Sequence, residues 1–206
     1  MVKHNGRLSM KQFMPMKPVK RGIKVWECAE ASSGFVCDFQ VCTGKRQDGV
    51  TEKNLGYLVV HDLTQNFTGK NHHIFCDNFF TSVSLPEDLL NDNNYLCGTT
   101  RAIRKDFPKE LANNLQVKRF KQRESLFRRR EDLVATVWKD KRFVNFLSTE
   151  SNPTGEETVN RKQQDEQSSR CQVFQWWWSY NQNMGGVDLH NQLRGYYAVR
   201  TKSRKW

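Results

Sequence analysis

The chain has 206 residues and a formal net charge of +11, with 37% hydrophobic and 27% charged residues. That length buries one good core, or one domain carrying an insertion, and leaves little room for two full domains. No apolar run is long enough to cross a membrane, and Met1-Val2-Lys3-His4-Asn5-Gly6-Arg7 lacks the apolar stretch of a secretory signal, so an intracellular, non-membrane protein is expected.

The chain opens with a polar, basic extension ending in Phe13-Met14-Pro15-Met16-Lys17-Pro18, where the two prolines favour extended backbone. Residues 22–29 alternate apolar and charged side chains, as a strand with one buried face does. Ser32-Ser33-Gly34 makes a turn, and residues 35–43 return as the second strand of an antiparallel hairpin. The apolar spacing of residues 55–63 predicts a helix, although Val59-Val60 would also suit a strand. Ile74-Phe75-Cys76 is a short apolar strand running straight into Asp77. A helix is expected over 84–90, with Pro86 in its first turn, and a further strand over 95–101. Residues 104–130 are charged and weakly periodic. Residues 133–138 and 143–148 are two apolar runs joined by Lys139-Asp140-Lys141-Arg142, the spacing of a small hairpin. Residues 149–169 are almost wholly polar and are expected to form a flexible loop. Trp176-Trp177-Trp178 follows, then a helical pattern over 187–197. The break in composition at Arg104 marks 104–169 as an insertion between two parts of one sheet domain.

Six cysteines stand at positions 28, 37, 42, 76, 97 and 171. None has the two-residue spacing of a zinc knuckle, so they are expected to be reduced, mostly buried thiols, with a structural zinc site as the lesser alternative. The basic residues are clustered. Lys3, Arg7, Lys11, Lys17, Lys20, Arg21 and Lys24 precede any acid, and Arg194, Arg200, Lys202, Arg204 and Lys205 close the chain without one after Asp188. Arg128-Arg129-Arg130 belongs to a third cluster, which also suits nuclear import. Three such clusters point to a polyanion, most simply nucleic acid; each alone also suits a solvated surface.

Asp77 carries the chemical interest. A carboxylate at the carboxyl end of a buried strand is held at the lip of a sheet, where open α/β folds present ligand or metal groups. An aspartate capping the turn into the next helix has the same local sequence. His72-His73 beside it reads as a polar loop more readily than as metal ligands. The tryptophan run could stack on bases, but burial beneath the insertion is the safer expectation.

Three stretches in register, Lys11 through Gly22, Cys76-Asp77-Asn78-Phe79-Phe80-Thr81-Ser82, and Met184-Gly185-Gly186-Val187-Asp188 with Arg200-Thr201-Lys202-Ser203-Arg204-Lys205-Trp206, closely resemble the piggyBac transposase family. The resemblance spans nearly the whole chain and is weakest over 104–169. It implies cut-and-paste DNA transposition by an α/β domain, an RNase H-like mixed sheet with flanking helices, interrupted by an insertion domain and lacking its first, central strand here. The implied parts are 1–103, 104–175 and 176–206. It also implies DNA as partner, a nuclear location, a homodimer as candidate assembly, and Mg²⁺ or Mn²⁺ held by aspartates. Asp77 matches the second metal aspartate and Asp188 the third, with Lys17, Lys20, Arg21, Arg128, Arg129, Arg130, Arg200, Lys202, Arg204 and Lys205 as candidate DNA contacts. The Gly185-Gly186 pair before Asp188 allows close backbone approach.

The sequence departs from the family in ways that bear on activity. The first aspartate falls on a strand that would end a few residues upstream of Met1, and Glu27, Glu30 and Asp38 do not simply replace it. Asn191 stands where the family usually has a further Asp, and the cysteine-rich tail of many members does not appear. A missing central strand leaves internal sheet edges, each buried unpaired group costing about 1–3 kcal/mol in a domain stable by roughly 5–15 kcal/mol. A damaged or swapped sheet is therefore expected, with Met1–Lys11 partly filling the gap or the hairpin shifting to close it. The implied function is that of a remnant of a metal-dependent DNA transposase with an incomplete catalytic triad. The alternatives are a non-catalytic DNA-binding or protein-interaction module recruited from a transposon, or the product of an incomplete gene model.

Overall fold

The computed structural model describes residues 1–44, 54–113, 115–149, 156–162 and 168–197. It divides into two compact units, one of Met1–Val50 with Gly185–Trp206 and one of Thr51–Met184.

The larger unit is built on a five-stranded mixed sheet. Helix α1 (Leu55–Thr64) buries Val59, Val60 and Leu63 along one stripe, and β6 (His73–Cys76) follows it. Five strands of the other unit precede α1 and carry the labels β1 to β5. Helix α2 (Ser84–Asn91) then crosses over to β7 (Tyr95–Thr100), which lies parallel to β6 with Cys76 opposite Gly98. Parallel neighbours need such a crossover. After α3 (Lys109–Asn113) and α4 (Leu115–Lys118) come β8 (Ser125–Arg130), β9 (Leu133–Lys139) and β10 (Phe143–Ser148). The strand order is β6-β7-β10-β9-β8, so the expected β9–β10 hairpin forms and joins the sheet that holds β6.

Alternation along the strands sorts the core into two faces. Leu133, Ala135, Val137 and Leu147 pack with Val83, Phe107, Leu111 and Val117 on one side, next to the cluster of Val60, Cys76, Leu85, Leu89 and Leu96. Cys97, Trp138 and Phe146 face the other way, against Trp176 and Tyr180 of α5 (Gln175–Asn183). Cover on both faces explains why the run Leu133 to Trp138 is apolar except for Thr136, which is itself buried. The tryptophan run is mostly core: Trp176 is buried, with its ring centroid 4.5 Å from that of Phe146, and Trp177 lies against Trp138, while Trp178 is exposed.

The polar loop expected over 149–169 is corrected. Strand β11 (Glu156–Lys162) pairs antiparallel with β12 (Ser168–Phe174). A backbone ladder satisfies its own polar groups and does not depend on apolar side chains, so polarity alone was a poor guide there.

In the smaller unit, β1 (Val2–Lys3) and β2 (Gln12–Phe13) flank β3 (Arg21–Ile23), and β4 (Val25–Ala29) pairs with β5 (Val36–Val41). The predicted hairpin therefore forms, with its first strand interrupted at Lys24 and a register shift between Cys28 and Ala29. Val2–Lys3 pairs with β3 and not with β6, whose one sheet partner among the described residues is β7. Helix α6 (Gly186–Tyr196) lies against β4. Among the described residues no helix is long and apolar enough to cross a membrane.

Candidate functional site

Asp77 follows directly on β6 and is exposed. Its carboxylate does begin as a turn cap: Oδ1 accepts the Phe79 N–H at 2.8 Å. Its carbonyl accepts the Phe80 and Thr81 N–H groups, both at 3.2 Å, and the Thr81 hydroxyl at 2.9 Å. The second carboxylate oxygen takes no hydrogen bond among the described residues, so the turn uses only one of the two. The turn is closely backed. A Cβ on Gly56 of α1 would come within 2.5 Å of the Phe79 carbonyl, and one on Gly98 of β7 within 2.5 Å of the Thr81 hydroxyl. Arg104 reaches the same turn with Nη2, donating to the carbonyls of Asn78 at 3.0 Å and Phe79 at 2.6 Å. No periodicity announces a role in this turn for Gly56, Gly98 or Arg104.

Asp188 occupies the first turn of α6 and is exposed. A carboxylate there is favoured by the unpaired N–H groups of the helix start. Of the glycine pair before it, Gly186 is the one that the close approach requires: a Cβ would sit 2.8 Å from the Glu30 carbonyl and 3.1 Å from that of Ala29. Gly185 has open space. Gly34, at φ +71°, meets α6 from the hairpin turn, its Cβ position 2.9 Å from the His190 nitrogen. Asn191 is committed within the helix. Its amide donates to the Val187 carbonyl at 2.8 Å, and its oxygen accepts Arg194 Nη2 at 2.7 Å.

Glu30 does not serve as a substitute acid. Both its oxygens accept hydrogen bonds from the hydroxyls and N–H groups of Ser33 and Ser32, which hold the carboxyl well down, to about 2. It is a turn anchor. Burial, with Cys37 and Asp38 nearby, pushes the Cys28 thiol up to about 11, as suits a protonated, inert cysteine. Burial also raises the Tyr180 phenol.

The basic clusters have different fates. Arg128 pairs with Glu110 at 2.7 Å, Arg129 lies 3.6 Å from Asp132, and Arg130 bonds Glu87. All three sit on β8, the outer strand of the five-stranded sheet, where charge also discourages edge-to-edge pairing. Lys17, Lys20 and Arg21 are exposed, and no acid pairs with them among the described residues. Arg21 instead lies over the exposed Phe13 ring, 5.2 Å from its centroid. Arg200, Lys202, Arg204 and Lys205 lie outside the described residues.

Hard oxygen donors such as Asp77 and Asp188 fit Mg²⁺ or Mn²⁺ in kind, and both are open to solvent. Among the described residues no three His, Cys, Asp or Glu side chains gather as a ligand set.

A family model described as Transposase IS4 matches residues 1–206. The sequence is similar to the Homo sapiens PiggyBac transposable element-derived protein 3, 28% identical over 221 residues covering all of this chain and 35% of that protein. It is 30% identical over 225 residues to the Homo sapiens PiggyBac transposable element-derived protein 2, covering all of this chain and 36% of that protein. The chain thus spans about a third of the length of these curated relatives. In three dimensions it is similar to a chain in the cryo-EM structure of a piggyBac transposase synaptic complex with hairpin DNA. The TM-score is 0.73 and the identity 25%, over 93% of this chain and 38% of that one.

Proposed function

Because the chain belongs to the Transposase IS4 family, of piggyBac type, we propose that it is a DNA-binding segment of a piggyBac transposable element-derived protein. It follows the RNase H-like plan, with residues 104–175 inserted between its two parts. Asp77 and Asp188 each serve as an acidic ligand for Mg²⁺ or Mn²⁺. Such an ion, when bound, supplies the charge stabilisation of an in-line phosphodiester displacement. The family's chemistry takes three aspartates and these 206 residues supply two of them, so by themselves they bind DNA without cutting it.

One observation carries this reading: Asp77 stands exposed at the carboxyl end of a parallel strand, with one carboxylate oxygen left over from the turn it caps. Lys17, Lys20 and Arg21 are the DNA contacts best supported by their surroundings, exposed and without an acidic partner among the described residues. Arg200, Lys202, Arg204 and Lys205 extend that set. Arg128, Arg129 and Arg130 contribute less, because acids already face them. A nuclear location and assembly as a homodimer belong to the same proposal.

Labelled hairpin and nicked DNA, incubated with the purified 206-residue polypeptide and Mg²⁺ or Mn²⁺, test it. Retarded bands on a native gel with unaltered strands on a denaturing gel are expected. A new, shorter or joined strand that requires the metal and disappears in Asp77→Asn would show the two acids to be sufficient.

A further inference from the structure

Resting on the assignment of Asp77 as an acidic ligand, we propose that Arg104 is the positioning residue of the Asp77 turn, fixing the direction in which that carboxylate is presented. The Asn78 carbonyl and the Phe79 N–H belong to one peptide group, which is planar. Arg104 Nη2 holds the carbonyl end at 3.0 Å while Asp77 Oδ1 accepts from the N–H end at 2.8 Å. Turning that peptide would break both bonds together, so the guanidinium indirectly sets the rotamer of the carboxylate. The next carbonyl, that of Phe79, is held by the same Nη2 at 2.6 Å and backed by α1 at Gly56, where not even a Cβ fits.

Arg104 keeps this position although its Nε is buried with no hydrogen-bond partner. A long, half-buried side chain ordinarily turns such a donor to water, because an unmet buried donor is costly. The bonds to the two carbonyls outweigh that cost. Arg104 lies 26 residues from Asn78 in sequence, in the turn that follows β7. The Asn78–Phe79 peptide is thereby tied to the turn at the carboxyl end of the parallel neighbouring strand.

The test compares Arg104→Met, Arg104→Lys and Asp77→Asn in the full 206-residue chain by amide exchange and by broadening of amide signals with Mn²⁺ alone. In R104M the Phe79 amide should exchange about tenfold faster while amides within α1 and β7 stay within about twofold, local opening being separable from global. R104K, which keeps a charged donor, should recover most of the protection. The Mn²⁺ concentration that half-broadens the Phe79 and Phe80 signals should rise several-fold in R104M, a change that a merely structural arginine would not cause in a chain equally well folded. Phe79 exchange within about twofold of the parent, or a parallel rise throughout α1 and β7, overturns the proposal. If Mn²⁺ broadening in the parent is absent or survives in D77N, the ligand assignment of Asp77 fails, and Phe79 exchange alone decides for or against Arg104. Should R104M not fold, Arg104→Gln takes its place in the same comparison.

Discussion

The unit of Thr51–Met184 and the unit of Met1–Val50 with Gly185–Trp206 hold themselves together in different ways. The first has a five-stranded sheet with apolar cover on both faces and fully buried Trp138, Trp176, Leu96 and Leu147. The second has a two-stranded and a three-stranded sheet of short strands, with Phe13, Phe35 and Phe39 more than half exposed. Its helix is seated by glycine contacts on a hairpin turn rather than by a broad apolar face. Charge follows the same division. Arg128, Arg129 and Arg130 of the first unit are answered by acids, whereas Lys17, Lys20 and Arg21 of the second are not, among the described residues. The larger buried core lies in one unit and the Lys17, Lys20 and Arg21 cluster in the other, so stability and that charge can be altered separately.

The largest effect should come from the sheet core. Trp176→Ala is expected to cost about 3–5 kcal/mol in denaturant unfolding, as large-to-small core changes do, whereas Trp178→Ala should stay within about 0.5 kcal/mol. Equal costs would erase the distinction between buried and exposed members of the run. Gly186→Ala should cost roughly 1–3 kcal/mol, because its methyl meets the Ala29 and Glu30 carbonyls. The loss should appear as faster amide exchange across α6 with the sheet of β6 to β10 unchanged.

Charge comes next. Replacing Lys17, Lys20 and Arg21 together with Gln should leave thermal melting almost unchanged and flatten the salt dependence of DNA binding by about 2.7 in log–log slope, at about 0.9 per phosphate contact. The same replacement at Arg128, Arg129 and Arg130 should flatten it by less than about 1 and lower stability by about 0.2–1 kcal/mol per exposed pair. The opposite ranking would break the comparison.

The smallest effect concerns acid. Glu30 is held to about 2, chiefly by Ser33 and then Ser32, so its folded value lies below its unfolded one. Its contribution is present above the ordinary carboxylate range and is lost as pH falls toward 2. Melting temperature should therefore drop slightly less between pH 5 and pH 2 in Glu30→Gln than in the parent.

Much of this architecture was legible wherever side-chain period and burial agree. The helix from Leu55, the strand running into Asp77, the helix from Ser84, the strand from Tyr95 and the hairpin of β9 and β10 all show it. Position at a strand end also brought Asp77 forward, whereas Asp188 came forward through the resemblance to the piggyBac family. What escaped depends on partners distant in sequence. Arg128 and Arg130 read as free charge because Glu110 and Glu87 stand 18 and 43 residues away. Arg104 marked only the start of a charged stretch because its acceptors are backbone carbonyls, which leave no mark in a sequence. Strands β11 and β12 escaped because paired backbone tolerates polar side chains.

The most direct measurement is the affinity of the 206-residue chain for labelled duplex DNA as salt is raised from about 0.05 to 0.2 M. A dissociation constant that weakens steeply, with slope set by about 0.9 per neutralised phosphate and reduced in the Lys17, Lys20, Arg21 variant, is predicted. An affinity indifferent to salt, or equally strong in that variant, would contradict the account.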